Sequence, residues 1–150
     1  HGADNLLTPD VVASPIRIAT AQGLLGRTMA EHLAVFRNQE GMESALREIR
    51  GLRERYTSVA VPDKGKTFNT NLIFTLELGF MLDCAETIVL SALERDESRG
   101  AHTRTDRPDR DDENWLCHSI YDPINTEVRK RGVNFTPKTL DAFEPKERTY

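Results

Sequence analysis

Four basic side chains, Arg99, His102, Arg104 and Arg107, fall within nine residues of one another. Six acids interleave with or flank them: Asp96, Glu97, Asp106, Asp109, Asp111 and Asp112. Between residues 94 and 113 more than half the positions are charged, with both signs mixed. Guanidinium forks match the planar oxygens of carboxylates and phosphates. Two chemistries are therefore open to this stretch. It is an anion cradle, or it folds by pairing its own charges. A loop that pairs internally can still present one side to a partner, so the two remain compatible.

Other reactive patterns are weaker. His102 and His118, with Asp106 or Asp109, could be drawn as metal ligands, but they lack any recurrent ligand spacing. His32 stands alone in a helical run. Lys64-Gly65-Lys66-Thr67 has the look of a phosphate loop without its first glycine or an upstream strand. Gly23-Leu24-Leu25-Gly26 lacks the spacing and the preceding strand of a dinucleotide fingerprint. No nucleophile elbow or HExxH pattern is present in the sequence. Asp83 and Glu86 sit three apart on an apolar run, where one polar edge explains them, and no histidine is placed to make a helical carboxylate metal site. Arg47, Arg50 and Arg53 alternate with glutamates, which is the pattern of a solvated helix face.

The elements that must hold the charged stretch can be read from periodicity. Ser14-Pro15 is an N-cap followed by a first-turn proline, and apolar spacing predicts a first helix over residues 15–37. Gly23 and Gly26 weaken it by about 1 kcal/mol each relative to Ala, and would permit a close approach or a break. Asn38 is placed to cap a second helix with an apolar stripe from Met42 to Tyr56. Residues 57–68 leave the helical pattern. A third helix, capped by Asn69 or Asn71, runs to about Arg95. It is apolar on more than one face, which predicts the central and most buried helix, with Cys84 as a small core residue. Gly100 suits the left-handed position just past that helix. Beyond Trp115, Leu116–Tyr121 and Val128–Phe135 alternate around Asp122-Pro123-Ile124-Asn125 and predict a β-hairpin. An isolated hairpin is marginal in water, so it must lie on another surface.

The expected fold is mainly α: an antiparallel three-helix bundle with an appended C-terminal β-hairpin and an extended tail. The bundle reaches about residue 97, the charged loop covers 98–114, and the hairpin and tail cover 115–150. Residues 1–19 form a separate segment, with His1-Gly2-Ala3 reading as a cloning remnant and the whole chain as a piece of something longer. At 150 residues the rest fits one domain with an adequate core. The net charge of −4 supplies no basic footprint for nucleic acid. No apolar run is long enough to span a membrane. Two cysteines and no secretory signal predict a reduced, intracellular setting.

Glu97-Ser-Arg-Gly-Ala-His102, continuing through Pro108-Asp-Arg-Asp-Asp-Glu-Asn-Trp115, resembles the C-terminal region of the flavoprotein subunit of succinate dehydrogenase and fumarate reductase. Val35-Phe36-Arg37, Phe68-Asn69-Thr70, Leu76-Glu77-Leu78 and the closing Glu144-Pro-Lys-Glu-Arg-Thr-Tyr150 fit in the same order. The resemblance covers about residues 20 to 150 and is nearer to succinate dehydrogenase than to aspartate oxidase, a relative that shares the Glu-Ser-Arg-Gly element.

The resemblance implies a parent enzyme of the tricarboxylic acid cycle and electron transport. That enzyme oxidises succinate to fumarate, passes a hydride to covalent FAD, and sends electrons through an iron–sulfur subunit to a quinone. It implies a peripheral complex on the cytoplasmic side of the inner membrane. The family's flavin-linking and substrate-binding residues lie upstream, so this piece is expected to bind no FAD and to turn over no substrate. Its implied partners are the upstream FAD and capping domains and the iron–sulfur subunit, with no nucleic acid and no membrane span of its own. Glu97, Arg99, Gly100, His102, Arg104, Arg110, Asp111 and Trp115 are the expected contact residues, and the arginines are expected to look under-paired without that neighbour. The alternatives are a free-standing three-helix interaction module, or the same domain of a fumarate reductase or an aspartate oxidase.

Overall fold

The structure, a computed structural model, describes residues 18–143 and residue 146. The expected turn at Thr8-Pro9-Asp10, the helix start at Ser14-Pro15 and nearly all of the closing motif lie outside the described residues. In chain order the elements are α1 (Ile18–His32), β1 (Phe36–Arg37), α2 (Gln39–Tyr56), α3 (Thr70–Glu94), β2 (Thr103–Arg104), α4 (Asp112–Trp115), β3 (Cys117–Asp122) and β4 (Glu127–Gly132). The chain is mainly α, with two small two-stranded sheets.

Helix α2 starts where its cap dictates. Asn38 is extended, and its side-chain oxygen accepts from Gly41 N at 2.8 Å. An extended Asn38 cannot sit inside a continuous helix, so α1 must end before it. It ends at His32, short of the expected residue 37, and Leu33 N closes the last turn on Met29 O. Val35 and Arg37 instead offer their carbonyls to Thr103 N and Thr105 N at 3.1 and 2.8 Å. This makes β1 and β2 a short parallel pair. Phe36, expected on the apolar stripe of the first helix, is 71 % exposed in β1.

The three long helices share one core. Ala21 and Leu25 of α1, Met42, Ala45 and Ile49 of α2, and Leu78, Leu82 and Val89 of α3 are all buried in it. Full burial of side chains of the Leu and Ile size is worth roughly 1.5–3 kcal/mol each. Thr28 hydrogen-bonds Glu48, and His32 lies beside Gly41, so α1 and α2 run in opposite directions. Arg50 pairs with Glu86 at 3.0 Å and Arg53 with Asp83 at 2.7 Å, which sets α2 and α3 antiparallel as well. The Asp83–Glu86 edge thus answers the α2 arginines.

The loop before α3 is pinned by one residue. Asn69 caps the helix through Leu72 N, and its amide donates to the carbonyls of Asp63 and Gly65, each at 2.8 Å. Val59 and Val61 are buried beneath this loop. Phe68, just before the cap, takes a left-handed φ of 52° and is fully exposed.

Helix α3 departs from its expected burial. One face packs into the core. The other carries Ile73, Phe80, Cys84 and Ile88 at helical spacing, flanked by Phe74 and Met81, and all of them are exposed. Cys84 is therefore not a core residue. The sequence pattern reported two apolar faces correctly; α1 and α2 cover only one.

The hairpin expected after Trp115 forms as β3 and β4, with Cys117 paired to Gly132 and Asp122 to Glu127. Asp122 organises its tip by accepting from Ile124 N and Asn125 Nδ2, both at 2.9 Å. It leans on the C-terminal half of α3. The tail beyond it has no regular structure through residue 143.

Glycine substitutions separate propensity from packing. A Cβ at Gly23 or Gly26 meets nothing within 4 Å, whereas one at Gly79 comes within 2.7 Å of the Tyr56 hydroxyl. No close approach thus explains the α1 glycines. Gly26→Ala is expected to stabilise the chain by about 1 kcal/mol. Gly79→Ala, with the same propensity gain, is expected to lower the melting temperature because Tyr56 must move. Thermal unfolding of both variants checks this; equal shifts would sink the packing argument.

Candidate functional site

The charged corner is built where α3 stops. Arg95 caps the helix in an extended conformation, its N–H still bonded to Ser91 O. The chain then brings Glu97 inward until it is 1 % exposed. A buried carboxylate is tolerable only if its charge and lone pairs are met. Arg99 meets it with Nε on Oε1 at 2.7 Å and Nη2 on Oε2 at 3.0 Å, a bidentate pair. Arg95 Nη1 lies 2.5 Å from Oε1, and the Asp111 N–H donates to Oε2 at 2.8 Å. Burial pushes the Glu97 carboxyl upward, but the Arg99, Asp111 and Arg95 hydrogen bonds outweigh it and hold it below its ordinary range.

Arg95 also reaches across the fold. Its Nη1 donates to Trp115 O at 3.0 Å, and its Nη2 to Cys117 O at 2.6 Å and to Ser119 Oγ at 3.2 Å. One guanidinium thereby joins the end of α3, the end of α4 and the first strand of the hairpin.

Gly100 is left-handed at φ 59°, as expected, but at a different place. Helix α3 has already ended, and Gly100 is the first central residue of a tight turn. Arg99 and His102 flank that turn and exchange both backbone hydrogen bonds, at 2.8 and 3.1 Å. The turn sets His102 against Arg37 Nη1 at 3.2 Å through Nδ1 and against Arg95 O at 3.1 Å through Nε2. The tautomer that satisfies both is Nε2–H, with Nδ1 accepting. Burial lowers the His102 pKa, and Arg37, Arg104 and Arg95 push the same way against the pull of the Arg95 carbonyl. His102 is therefore held neutral.

Arg104 is the second buried charge, at 1 % exposure. Asp106 takes it in a fork, Nε to Oδ1 at 3.1 Å and Nη2 to Oδ2 at 2.7 Å. Gln39 Oε1 accepts from Nη2 at 2.9 Å, while Gln39 N donates to Asp106 Oδ2 at 3.1 Å. The pair thus clamps the N-terminus of α2. The hydrogen bond from Arg104 is the main reason that the Asp106 pKa falls to about 2.

Asp111 caps the single turn of α4 by accepting from Asn114 N at 2.9 Å. Arg110 and Arg99 converge on Asp112 at 2.7 and 2.6 Å. Trp115 is buried, with Lys130 Nζ 3.3 Å and Arg95 Cζ 5.2 Å from its ring centroid, so two cations border one indole.

All eight candidate residues thus lie in one corner. The arginines of the charged stretch differ from expectation: Arg99, Arg104, Arg107 and Arg110 each hold a carboxylate. The internal-pairing reading accounts for them, because groups leaving a buried helix lose water and must find counter-charges at once. Sequence reasoning left Arg95, Arg37, Gln39 and Lys130 off the candidate set. Arg95 opened the charged stretch and was the legible one; Gln39 and Lys130 act across 65 and more than a dozen residues of chain, which spacing does not reveal.

Among the described residues no three His, Cys, Asp or Glu side chains converge as metal ligands. The two-residue parallel pair of β1 and β2 meets no glycine loop opening a helix, so these residues do not fit a dinucleotide pyrophosphate. Among the described residues no helix is long and apolar enough to cross a membrane.

Residues 22–150 match the family model described as the fumarate reductase flavoprotein C-terminus. A fumarate reductase flavoprotein subunit of Haemophilus influenzae is 38 % identical over 126 residues, covering 84 % of this chain and 21 % of the relative. A succinate dehydrogenase flavoprotein subunit of Coxiella burnetii is 38 % identical over 122 residues, covering 81 % and 21 %. A solved E. coli quinol fumarate reductase chain superposes with a TM-score of 0.76 at 31 % identity, covering 94 % of this chain and 25 % of that one. The chain spans about a fifth to a quarter of the length of these relatives.

Glu97→Ala strands Arg95 and Arg99, and is expected to cost about 3–5 kcal/mol, as when one member of a buried pair is lost. The Glu97 pKa is lowered on folding, so its contribution is complete above the unfolded value of about 4.3 and disappears as pH falls through the folded value. Glu97→Gln should therefore flatten the acid limb of a urea-denaturation series between neutral pH and pH ~3. An unchanged slope in that variant would show that Glu97 does not carry it.

Proposed function

This chain belongs to the C-terminal domain family of fumarate reductase and succinate dehydrogenase flavoproteins, and from that premise we propose that it is the docking and bracing domain of such a subunit. The observation that carries the docking role is the bare face of α3. Ile73, Phe80 and Ile88 stand on one face of the helix, and Phe80 is 65 % exposed. Large apolar side chains repeating along one exposed helix face, interrupted only by Glu77, mark an interaction surface. On this reading an antiparallel bundle of α1, α2 and α3 is the brace, and the second face of α3 packs against the FAD domain of the same subunit.

The charged corner serves that surface from behind. Glu97 and Arg104 act from the interior, while Arg99, His102, Arg110 and Asp111 lie nearer the surface and Gly100 forms the exposed turn beside them. These outer members are the contact residues toward the capping domain or the iron–sulfur subunit. The parent holds FAD in its upstream domains, oxidises succinate or runs the reverse reduction, and sits peripherally on a membrane complex. This part of the chain contributes no group to the chemical step. The Haemophilus influenzae and Coxiella burnetii relatives carry the names of both reaction directions, and nothing in these residues favours one.

Phe80→Asp separates docking from stability. Exposed substitutions away from special features change stability by no more than ~0.5 kcal/mol. This chain carrying Phe80→Asp should thus melt like the parent chain. In the full-length subunit the same change should lower bound-flavin content and raise protease sensitivity between the domains. Equal behaviour of the full-length variant and wild type would sink the docking reading. An upstream stop codon with a nearby start would instead support the free-standing interaction module.

A further inference from the structure

We propose that the groove between the last turns of α3, the Arg37 corner and β3 binds a carboxylate, supplied by an acidic side chain from the part of the flavoprotein subunit outside this chain. The inference deepens the docking reading and rests on it.

The groove is open to solvent and has a volume of about 440 Å³. Arg37, Arg95, His102, His118, Ser91 and Ser119 line it, and no Asp or Glu does. That is unusual in a chain with 24 acids to 20 lysines and arginines. Arg95 is already neutralised by Glu97 on its far side. Arg37 is not. Among the described residues it holds no carboxylate, while Arg95, Arg99, Arg104, Arg107 and Arg110 all do.

Of the five N–H donors of a guanidinium, Arg37 gives one to Ala34 O at 2.6 Å and one to His102 Nδ1 at 3.2 Å. Both acceptors are neutral. The outer fork, Nη1 with Nη2, keeps donors with no protein acceptor among the described residues. Burial lowers the Arg37 pKa with nothing opposing it, the sign of a desolvated cation lacking its counter-charge. His102 is a positioning residue here: its ring, tied to Arg95 O through Nε2, holds the Arg37 guanidinium through Nδ1.

A guanidinium fork suits carboxylates and phosphates alike, but one positive charge is balanced by a single carboxylate, whereas a phosphate group brings about 1.5–2 negative charges. The choice of a side chain over a free ion comes from the rim. Ile88, 45 % exposed, borders the groove and continues into the bare stripe of α3. The carboxylate that fits arrives on an apolar carrier.

Arginine-specific dicarbonyl labelling, read by mass spectrometry, tests this on the present chain and on the full-length subunit. Arg47, exposed on α2, normalises the reagent. Arg37 is expected to react about ten-fold more slowly in the full-length subunit, a modest effect for a close charge pair. Equal normalised rates in both proteins overturn the inference. Saturable protection of Arg37 in the present chain by acetate alone also overturns it, because the occupant is then a free ion. Hydroxyl-radical labelling of Phe80 in the same samples separates the two readings. Phe80 shielded with Arg37 unshielded removes the carboxylate site and leaves docking standing; neither shielded removes both.

Discussion

The corner depends on one constraint: Glu97 is a carboxylate with essentially no access to water. Such a group is destabilising unless cations and donors surround it. Arg95, Arg99 and the Asp111 N–H supply them, and each comes from a different direction. Arg95 then has no freedom left, so it places Trp115, Cys117 and Ser119, and with them the hairpin. Arg99 fixes the Gly100 turn, which fixes His102. The orientation of the hairpin on α3 is thus set by polar contacts around one buried acid. Its apolar contribution to the core is slight, since the buried cluster consists of residues before Leu93.

Much of this was legible, and the reasons divide by range. Local signals read well. Asn38 and Asn69 cap the helices that their position announces, and Asp122 organises the hairpin tip. The corner was visible as a run of mixed charge, and its family resemblance as an ordered set of motifs. Signals that need a partner across the chain did not read. Phe36 continues the apolar spacing of Leu25, Met29 and Leu33, which predicts an end of α1 at residue 37. Backbone pairing with Thr103 and Thr105, some 68 residues away, draws that segment into a strand instead. The arginines were expected to be under-paired because composition does not say which acid folds back on which base. Arg37, which holds no carboxylate among the described residues, enters the sequence reading only as part of a motif.

Helix α3 shows why burial is the hardest property to read. Its sequence is apolar on two faces, and periodicity states that both avoid water. It does not state where the cover comes from. Within this chain α1 and α2 cover one face, and Ile73, Phe80 and Ile88 remain on the other. Cys84 follows from the same geometry: it is a small residue on an apolar helix, but on the wrong face for this core.

Two charged side chains, Glu97 and Arg104, are buried among the described residues, while large apolar side chains of α3 stand exposed. Ions buried in the corner are screened little by salt, unlike the Arg50–Glu86 and Arg53–Asp83 pairs on the α2–α3 surface. The corner therefore keeps its geometry across ionic strengths, and with it the positions of His102 and Arg37. On the docking reading, the apolar side chains of α3 lose little polar hydration when covered, and their burial favours association against the cost of lost rigid-body freedom. On the same reading the half-buried Arg37 at the end of that stripe supplies register. Apolar burial is non-directional and tolerates sliding, whereas one guanidinium fork admits its partner in one orientation.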